Sequence, residues 1–369
     1  MKLLAFFKKE PVLCLAALAA LVSCILVPPD GAYLHYVDVR TIALLYCLMT
    51  VVAGANQAGA FPALARSLCA RASGSRTLSL VLVLLCFFSA MFITNDVALL
   101  TFVPFAVTVL AMSGQTRLTA PVVVLQTVAA NLGSMLTPPG NPQNLHLFSY
   151  YGLSAGDFFS ATLPVWGLSL ALLLVLCLTL RGERIHVALA EPEPVDRRLL
   201  LVSGGLFVLS LLVVFRVLPW PLLLAAVALA YLLLDRRLLL RADFLLLLTF
   251  VCFYVFVGNL SRVEAVRLWL AGLLTGRELP VSALASQVIS NVPAAVLLSG
   301  FTEQGRSLLL GVNIGGLGTP IASLASLISL KLYSRSAGAD TGRYLRLFLA
   351  LNLALLVLLL AFAHFVLGA

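Results

Sequence analysis

The sequence predicts an all-α polytopic membrane protein built as two inverted-topology repeats, each with a re-entrant helical hairpin and a broken transmembrane helix. Three observations predict it. First, 62% of the 369 residues are hydrophobic and 11% are charged, whereas soluble domains carry about 25% charged residues. Second, mean hydropathy is +1.08, and apolar runs of bilayer-crossing length, roughly 17–25 residues, recur from Pro11 onward. Third, one order of polar interruptions occurs twice. Helices are required because a lipid-facing chain has to satisfy its backbone hydrogen bonds within each segment.

The apolar runs place helices near 11–27, 37–56, 77–93, 97–112, 119–136, 144–151 and 158–180. They continue near 199–217, 220–234, 242–258, 280–290, 292–302, 307–317, 318–330 and 344–367. Lys8 and Lys9 before an apolar stretch ending Ser23-Cys24 imitate a secretory leader, but 11–27 reads better as a first membrane helix. The mixed charges and Glu-Pro-Glu-Pro run of 181–198 mark a cytoplasmic linker between a first repeat, 1–180, and a second, 199–369. The hairpins fall at about 77–112 and 280–302, the broken helices at about 119–151 and 307–330.

The repeated features carry more than any single motif. Thr94-Asn95-Asp96 and Ser290-Asn291 each interrupt an apolar stretch. Downstream, Asn131-Leu132-Gly133 precedes Thr137-Pro138, and Asn313-Ile314-Gly315 precedes Thr319-Pro320. Upstream of each, an apolar helix ends in a glycine, Gly54 or Gly258, and leads into a partly amphipathic segment.

The net charge of +9 does not indicate nucleic acid, because the basic residues stand singly or in pairs rather than in one stripe. Topology accounts for them. With Arg40, Arg216, Arg262, Arg267, Arg277 and Arg306 outside, the other 18 of the 24 basic residues collect on the cytoplasmic side. That assignment puts the N-terminus inside and opens the two hairpins from opposite faces, in what reads as a bacterial cytoplasmic membrane. The seven cysteines lack CxxC spacing and lie mostly in apolar segments, so neither a disulfide framework nor a metal site is indicated. His35, His146, His186 and His364 show no ligand spacing, and only His146 follows a broken segment.

Breaking a helix inside a membrane exposes N–H and C=O groups that need protein, water, ion or substrate as partners. Helix N-termini at a break suit an anion, and unwound carbonyls suit a cation. The expected substrate site is therefore Thr94, Asn95, Asp96, Thr137, Pro138, Asn141, Ser290, Asn291, Thr319 and Pro320. The expected coupling-ion site shares Thr94, Asn95, Asp96, Ser290 and Asn291 and adds Asn131, Gly133, Gly140, Asn313, Gly315 and Gly318. Asp96 is the one carboxylate deep in an apolar stretch, a functional candidate that also reads as the N-cap of a helix starting at Val97.

At these residues the chain resembles the superfamily of ion transporters that includes citrate and dicarboxylate symporters, arsenite permeases and NhaD-type sodium/proton antiporters. The specific part is TNDVALLTFVPF and GSMLTPPGNPQNL with SNVPA and GGLGTPIASLASL. In the dicarboxylate branch both tips read Ser-Asn-Thr. Here the third tip position departs in both halves, and the Asn-Asp tip resembles the arsenite-permease branch more. The resemblance implies Thr94, Asn95, Ser290 and Asn291 at substrate or sodium, backbone near Gly133, Thr137, Gly140, Asn141, Gly315, Gly318 and Thr319 completing the sites, a dimerising scaffold, and elevator-like movement.

The expected function is secondary transport of a small anion across the lipid bilayer, coupled to Na+ or H+, with no other cofactor and no nucleic-acid partner. Na+/H+ antiport and arsenite efflux are the alternatives within carriers. A channel is disfavoured because two inverted halves supply two interchangeable gates. An intramembrane aspartyl protease needs two carboxylates sharing a proton, and the sequence offers Asp96 alone.

Overall fold

The computed structural model describes residues 10–185 and 194–368. Lys2, Lys8, Lys9, His186 and the Glu191-Pro192-Glu193 part of the linker lie outside the described residues. The described residues fold into helices α1 (Pro11–Leu26), α2 (Val39–Gln57), α3 (Ala60–Cys69), α4 (Ser75–Ile93), α5 (Asn95–Met112), α6 (Thr119–Ser134), α7 (Pro142–Tyr150) and α8 (Ala155–Leu178). After the linker come α9 (Arg197–Val214), α10 (Trp220–Leu234), α11 (Phe244–Arg262), α12 (Glu264–Leu274), α13 (Glu278–Ile289), α14 (Asn291–Ser299), α15 (Gly305–Ile314), α16 (Leu324–Ser334) and α17 (Thr341–Leu367).

Among the described residues, seven helical stretches are long and apolar enough to cross a membrane. Outer faces of these and of shorter helices stay uncovered: Leu201 and Phe365 in the former and Ile25, Leu233 and Val288 in the latter are all at least three-quarters exposed. A surface of that kind is compatible with lipid and not with water. The chain is an all-α polytopic integral membrane protein.

Helix starts away from the tips follow ordinary capping chemistry. Asp38, Ser154, Asp196, Asp243 and Asp340 each accept a backbone N–H of the first turn of α2, α8, α9, α11 and α17. Four of the fifteen acidic residues thereby satisfy helix N-termini, where negative charge also complements the dipole. Helix α1 packs on α11, and Asn259 Nδ2 donates to Ser23 Oγ at 3.0 Å across that contact.

Three sequence expectations shift. Gly54 and Gly258 do not end their helices, which run on to Gln57 and Arg262. They are close-approach positions instead, since a Cβ at Gly54 would lie 2.4 Å from the Tyr231 hydroxyl and one at Gly258 2.5 Å from the Tyr36 ring. The helix expected at 318–330 begins only at Leu324, because Pro320 and the extended Ser323 hold the chain in a single 3-10 turn before it. The segments after the two glycines are the amphipathic helices α3 and α12.

Two hydrophobic cores result. One gathers α4, α5, α6, α16 and α17; the other gathers α2, α9, α10, α11 and α14. The first broken helix begins in one core with α6 and ends in the other with α7. Helix α16 likewise returns from the second break to the core of α5 and α6. Helix α5 packs on α16, and α14 on α7, so each hairpin touches the far half of the other broken helix.

Candidate functional site

The two hairpins turn on one residue each. Thr94 joins α4 to α5 at φ 67°, ψ 152°, and Ser290 joins α13 to α14 at φ 72°, ψ 154°. This backbone region is essentially reserved for glycine and costs about 1–3 kcal/mol when another residue occupies it. Neither side chain makes a capping hydrogen bond to its helix. The next residue repeats as well: Asn95 Oδ1 accepts the Asp96 N–H and Asn291 Oδ1 the Val292 N–H, both at 3.0 Å.

Each tip is anchored to a break by matching contacts. Thr137 Oγ1 donates to the Met91 carbonyl at 2.5 Å and Thr319 Oγ1 to the Gln287 carbonyl at 3.3 Å, in each case three residues before the tip. Gly133 lies against the Phe87 backbone and Gly315 against that of Ala283, seven residues before the tip. A Cβ at Gly133 would fall 2.0 Å from the Phe87 oxygen and one at Gly315 2.8 Å from the Ala283 Cα. Glycine is demanded there by close approach. Gly140 is held the same way against the Ser134 oxygen, and Gly318 takes φ +100° beside Gln287.

Between the breaks runs a network of buried amides. Asn131 Oδ1 accepts from Asn95 Nδ2 at 3.1 Å and from Ser323 Oγ at 2.9 Å, and its Nδ2 reaches the Gly316 carbonyl and Ser326. In the counterpart, Asn313 Oδ1 accepts from Asn141 Nδ2 at 3.0 Å and its Nδ2 donates to Asn144 Oδ1 at 2.6 Å. Each break asparagine thus bonds the first turn of the other broken helix's second half. Asn144 Nδ2 also donates to the carbonyls of Ser134, Met135 and Thr137, and Gln287 Nε2 to those of Ala283, Gly315 and Leu317. Sequence reasoning missed both amides, because Asn144 and Gln287 stand among other polar residues of α7 and α13.

These elements surround two cavities of about 540 and 300 Å³ that share Asp96, Pro142, Asp243, Leu246, Leu324 and Ile328. Thr94 lines the larger and Ser290 the smaller. The starts of α5, α7, α14 and α16 therefore meet at one place. Pro138, Asn141, Asn131 and Asn313 are buried behind that wall, and Pro320 stands at the second break. A larger cavity of about 880 Å³, lined by Tyr150, Arg267, Arg277, Glu278 and Thr302 among others, touches neither tip.

Asp96 is not an N-cap. Helix α5 starts at Asn95, which puts Asp96 in its first turn, and its Oδ1 is buried with no hydrogen-bond partner. Nor is it the sole carboxylate present, because Asp243 lines both cavities while capping Leu246 N–H at 2.9 Å. Arg241 lines the larger cavity, and Lys331 and Glu10 the smaller. His146 lies elsewhere, buried between the Tyr254 hydroxyl and Ser299 Oγ at 3.0 Å each.

A polytopic helical bundle with four helix starts on shared cavities has the architecture of a membrane transporter, and comparison with known proteins places it in that class. The chain belongs to the citrate transporter family, whose model matches residues 3–303. It is 34% identical over 315 residues to the inner membrane protein YbiR of Escherichia coli, covering 80% of both chains. It is 30% identical over 332 residues to the uncharacterized transporter MJ0456 of Methanocaldococcus jannaschii, covering 89% of this chain and 90% of the relative. A shorter match, 34% over 153 residues, is to the silicon efflux transporter LSI3 of rice, covering 40% of this chain and 30% of the relative. The protein is a transporter, not an enzyme.

Proposed function

We propose that the chain is a secondary active transporter of a small anion, a carboxylate or an inorganic oxyanion, coupled to H+ or Na+. The carrying observation is the meeting of four helix starts at the cavities lined by Thr94 and Ser290. N–H groups at helix starts and their partial positive charge favour an anion. The N-cap residues of α5, α14 and α16 offer no side-chain oxygen to their own helices, so first-turn donors other than the Asp96 and Val292 N–H groups, which Asn95 and Asn291 hold, stay available to a ligand. The citrate transporter family name supports a carboxylate, and the rice relative's name, a silicon efflux transporter, supports an inorganic oxyacid.

The two tips and breaks, with their matching contacts, read as inverted halves that open the site alternately to the two sides. Movement of the hairpins and broken helices as one unit against α1, α2 and α9–α11 would carry the site across. The test is thermal unfolding of the purified protein with citrate, succinate, sulfate, phosphate and arsenite, across pH and with and without sodium. Stabilisation by one anion, lost in Asn95→Ala and Asn291→Ala, is expected. A second reading, Na+/H+ antiport, is favoured by the unpartnered Asp96 oxygen and predicts stabilisation that no anion changes.

A further inference from the structure

Sodium is the coupling ion the family resemblance implies at the tips and breaks, and the donor set at the breaks does not fit it. A hard cation needs several oxygens converging on one vacant point, and unwound carbonyls are the usual supply in broken helices. Both breaks do converge their carbonyls. Around the first, the oxygens of Ser134, Met135 and Thr137 stand 3.2, 3.1 and 3.1 Å from a single atom, Asn144 Nδ2. Around the second, the oxygens of Gly315 and Leu317, with that of Ala283, stand 2.7, 2.9 and 3.1 Å from Gln287 Nε2.

We propose that Asn144 and Gln287 are built-in surrogates for a cation at the two breaks, so that the carrier binds no Na+ there. This narrows the coupling ion of the carrier reading above and rests on it. An amide NH2 carries partial positive charge and two hydrogens, enough to satisfy three converging oxygens when one hydrogen is shared. Each carbonyl retains a second lone pair, but the point of convergence is taken. The amides cannot turn over to vacate it. Asn144 Oδ1 is held by Asn313 Nδ2 at 2.6 Å and Gln287 Oε1 by the Thr319 N–H at 2.9 Å, and a flipped amide would aim its oxygen at three others.

The two surrogates are not copies of one another. The register that pairs Asn131 with Asn313 pairs Asn144 with Ser326, and the register that pairs Thr94 with Ser290 pairs Gln287 with Met91. One amide comes from the second half of its own broken helix, the other from the hairpin. Two unrelated positions thus meet the same demand, one at each break.

The experiment measures binding of radioactive Na+ to the full chain in detergent, beside thermal unfolding in NaCl against choline chloride. Wild type is expected to show no saturable Na+ binding and the same unfolding temperature in both salts. Gln287→Ala and Asn144→Ser remove the amides and open the carbonyls, and are expected to gain saturable Na+ binding and a NaCl-dependent rise of about 3–5 °C. Saturable Na+ binding by wild type overturns the proposal. Variants that fold and remain indifferent to Na+ also overturn it, by reducing the amides to staples. Should neither variant fold, the wild-type measurement decides alone. Failure of the carrier reading looks different: proteoliposomes then move none of the five anions under either a proton or a sodium gradient, whatever the Na+ binding result.

Discussion

Thr94 and Ser290 hold the same strained backbone conformation, φ 67°, ψ 152° and φ 72°, ψ 154°, each as the single residue between two helices. Strain kept at two matching positions implies that something other than stability holds a hydroxyl residue there, since glycine would adopt the same angles freely. Both residues line the cavities, where a hydroxyl can donate to an anion.

Thr94→Gly and Ser290→Gly are therefore expected to keep or raise the unfolding temperature while weakening anion-dependent stabilisation at least tenfold in midpoint concentration. Thermal unfolding titrated with the active anion checks both. A glycine variant that binds as well as wild type would remove the hydroxyls from the site.

Asn131→Ala strands Asn95 Nδ2 and Ser323 Oγ, and Asn313→Ala strands Asn144 Oδ1 and leaves Asn141 Nδ2 with Ser134 Oγ alone. Buried groups left without partners cost about 1–3 kcal/mol each, so each variant should lose roughly 2–4 kcal/mol. Comparison of unfolding temperatures with wild type measures the loss, and a change within experimental error would show that the network does not hold the breaks together.

Gly133→Ala should be poorly tolerated, because its Cβ meets the Phe87 carbonyl at 2.0 Å and both partners are backbone. Overpacking of this kind costs about 1–3 kcal/mol or more. Gly167→Ala, where a Cβ meets nothing within 4 Å, is the control expected to express and unfold like wild type.

Asp96→Asn replaces a half-buried carboxylate whose Oδ1 is buried without a partner, a group that is costly to hold as a charge inside a membrane. The unfolding temperature should rise by about 2–4 °C, while proton-coupled transport in proteoliposomes is lost. Coupled transport that survives the substitution would take Asp96 out of the mechanism.

The tips and breaks were legible in the sequence because a polar residue, a glycine or a proline inside a bilayer-length apolar run has few benign explanations. The same logic located Asn131, Gly133, Thr137 and their counterparts, whose contacts match at equal offsets from the tips. The start of α16 was not legible, since Pro320 permits a helix to begin and only the extended Ser323 delays it to Leu324. Asp96 was placed two positions too early, as an N-cap instead of the second residue of α5, because the helix begins on Asn95 itself. Asn144 and Gln287 escaped notice for a physical reason: each sits at a position its repeat partner fills with a different residue, so repetition gave no signal. Asp243 was hidden because it lies far along the chain and reaches the cavities only through packing.

Uptake into proteoliposomes tests the central claim, that the two tips and two breaks form one transport site. Vesicles carrying wild type, Asn95→Ala or Asn291→Ala are offered radiolabelled citrate, succinate, sulfate, phosphate and arsenite under an inward proton gradient. The account predicts that wild type accumulates at least one of these against its gradient and that either substitution alone abolishes it, because the two tips line adjoining cavities that share Asp96, Pro142, Asp243, Leu246, Leu324 and Ile328. Accumulation that persists in both variants would contradict it and place the site elsewhere in the fold.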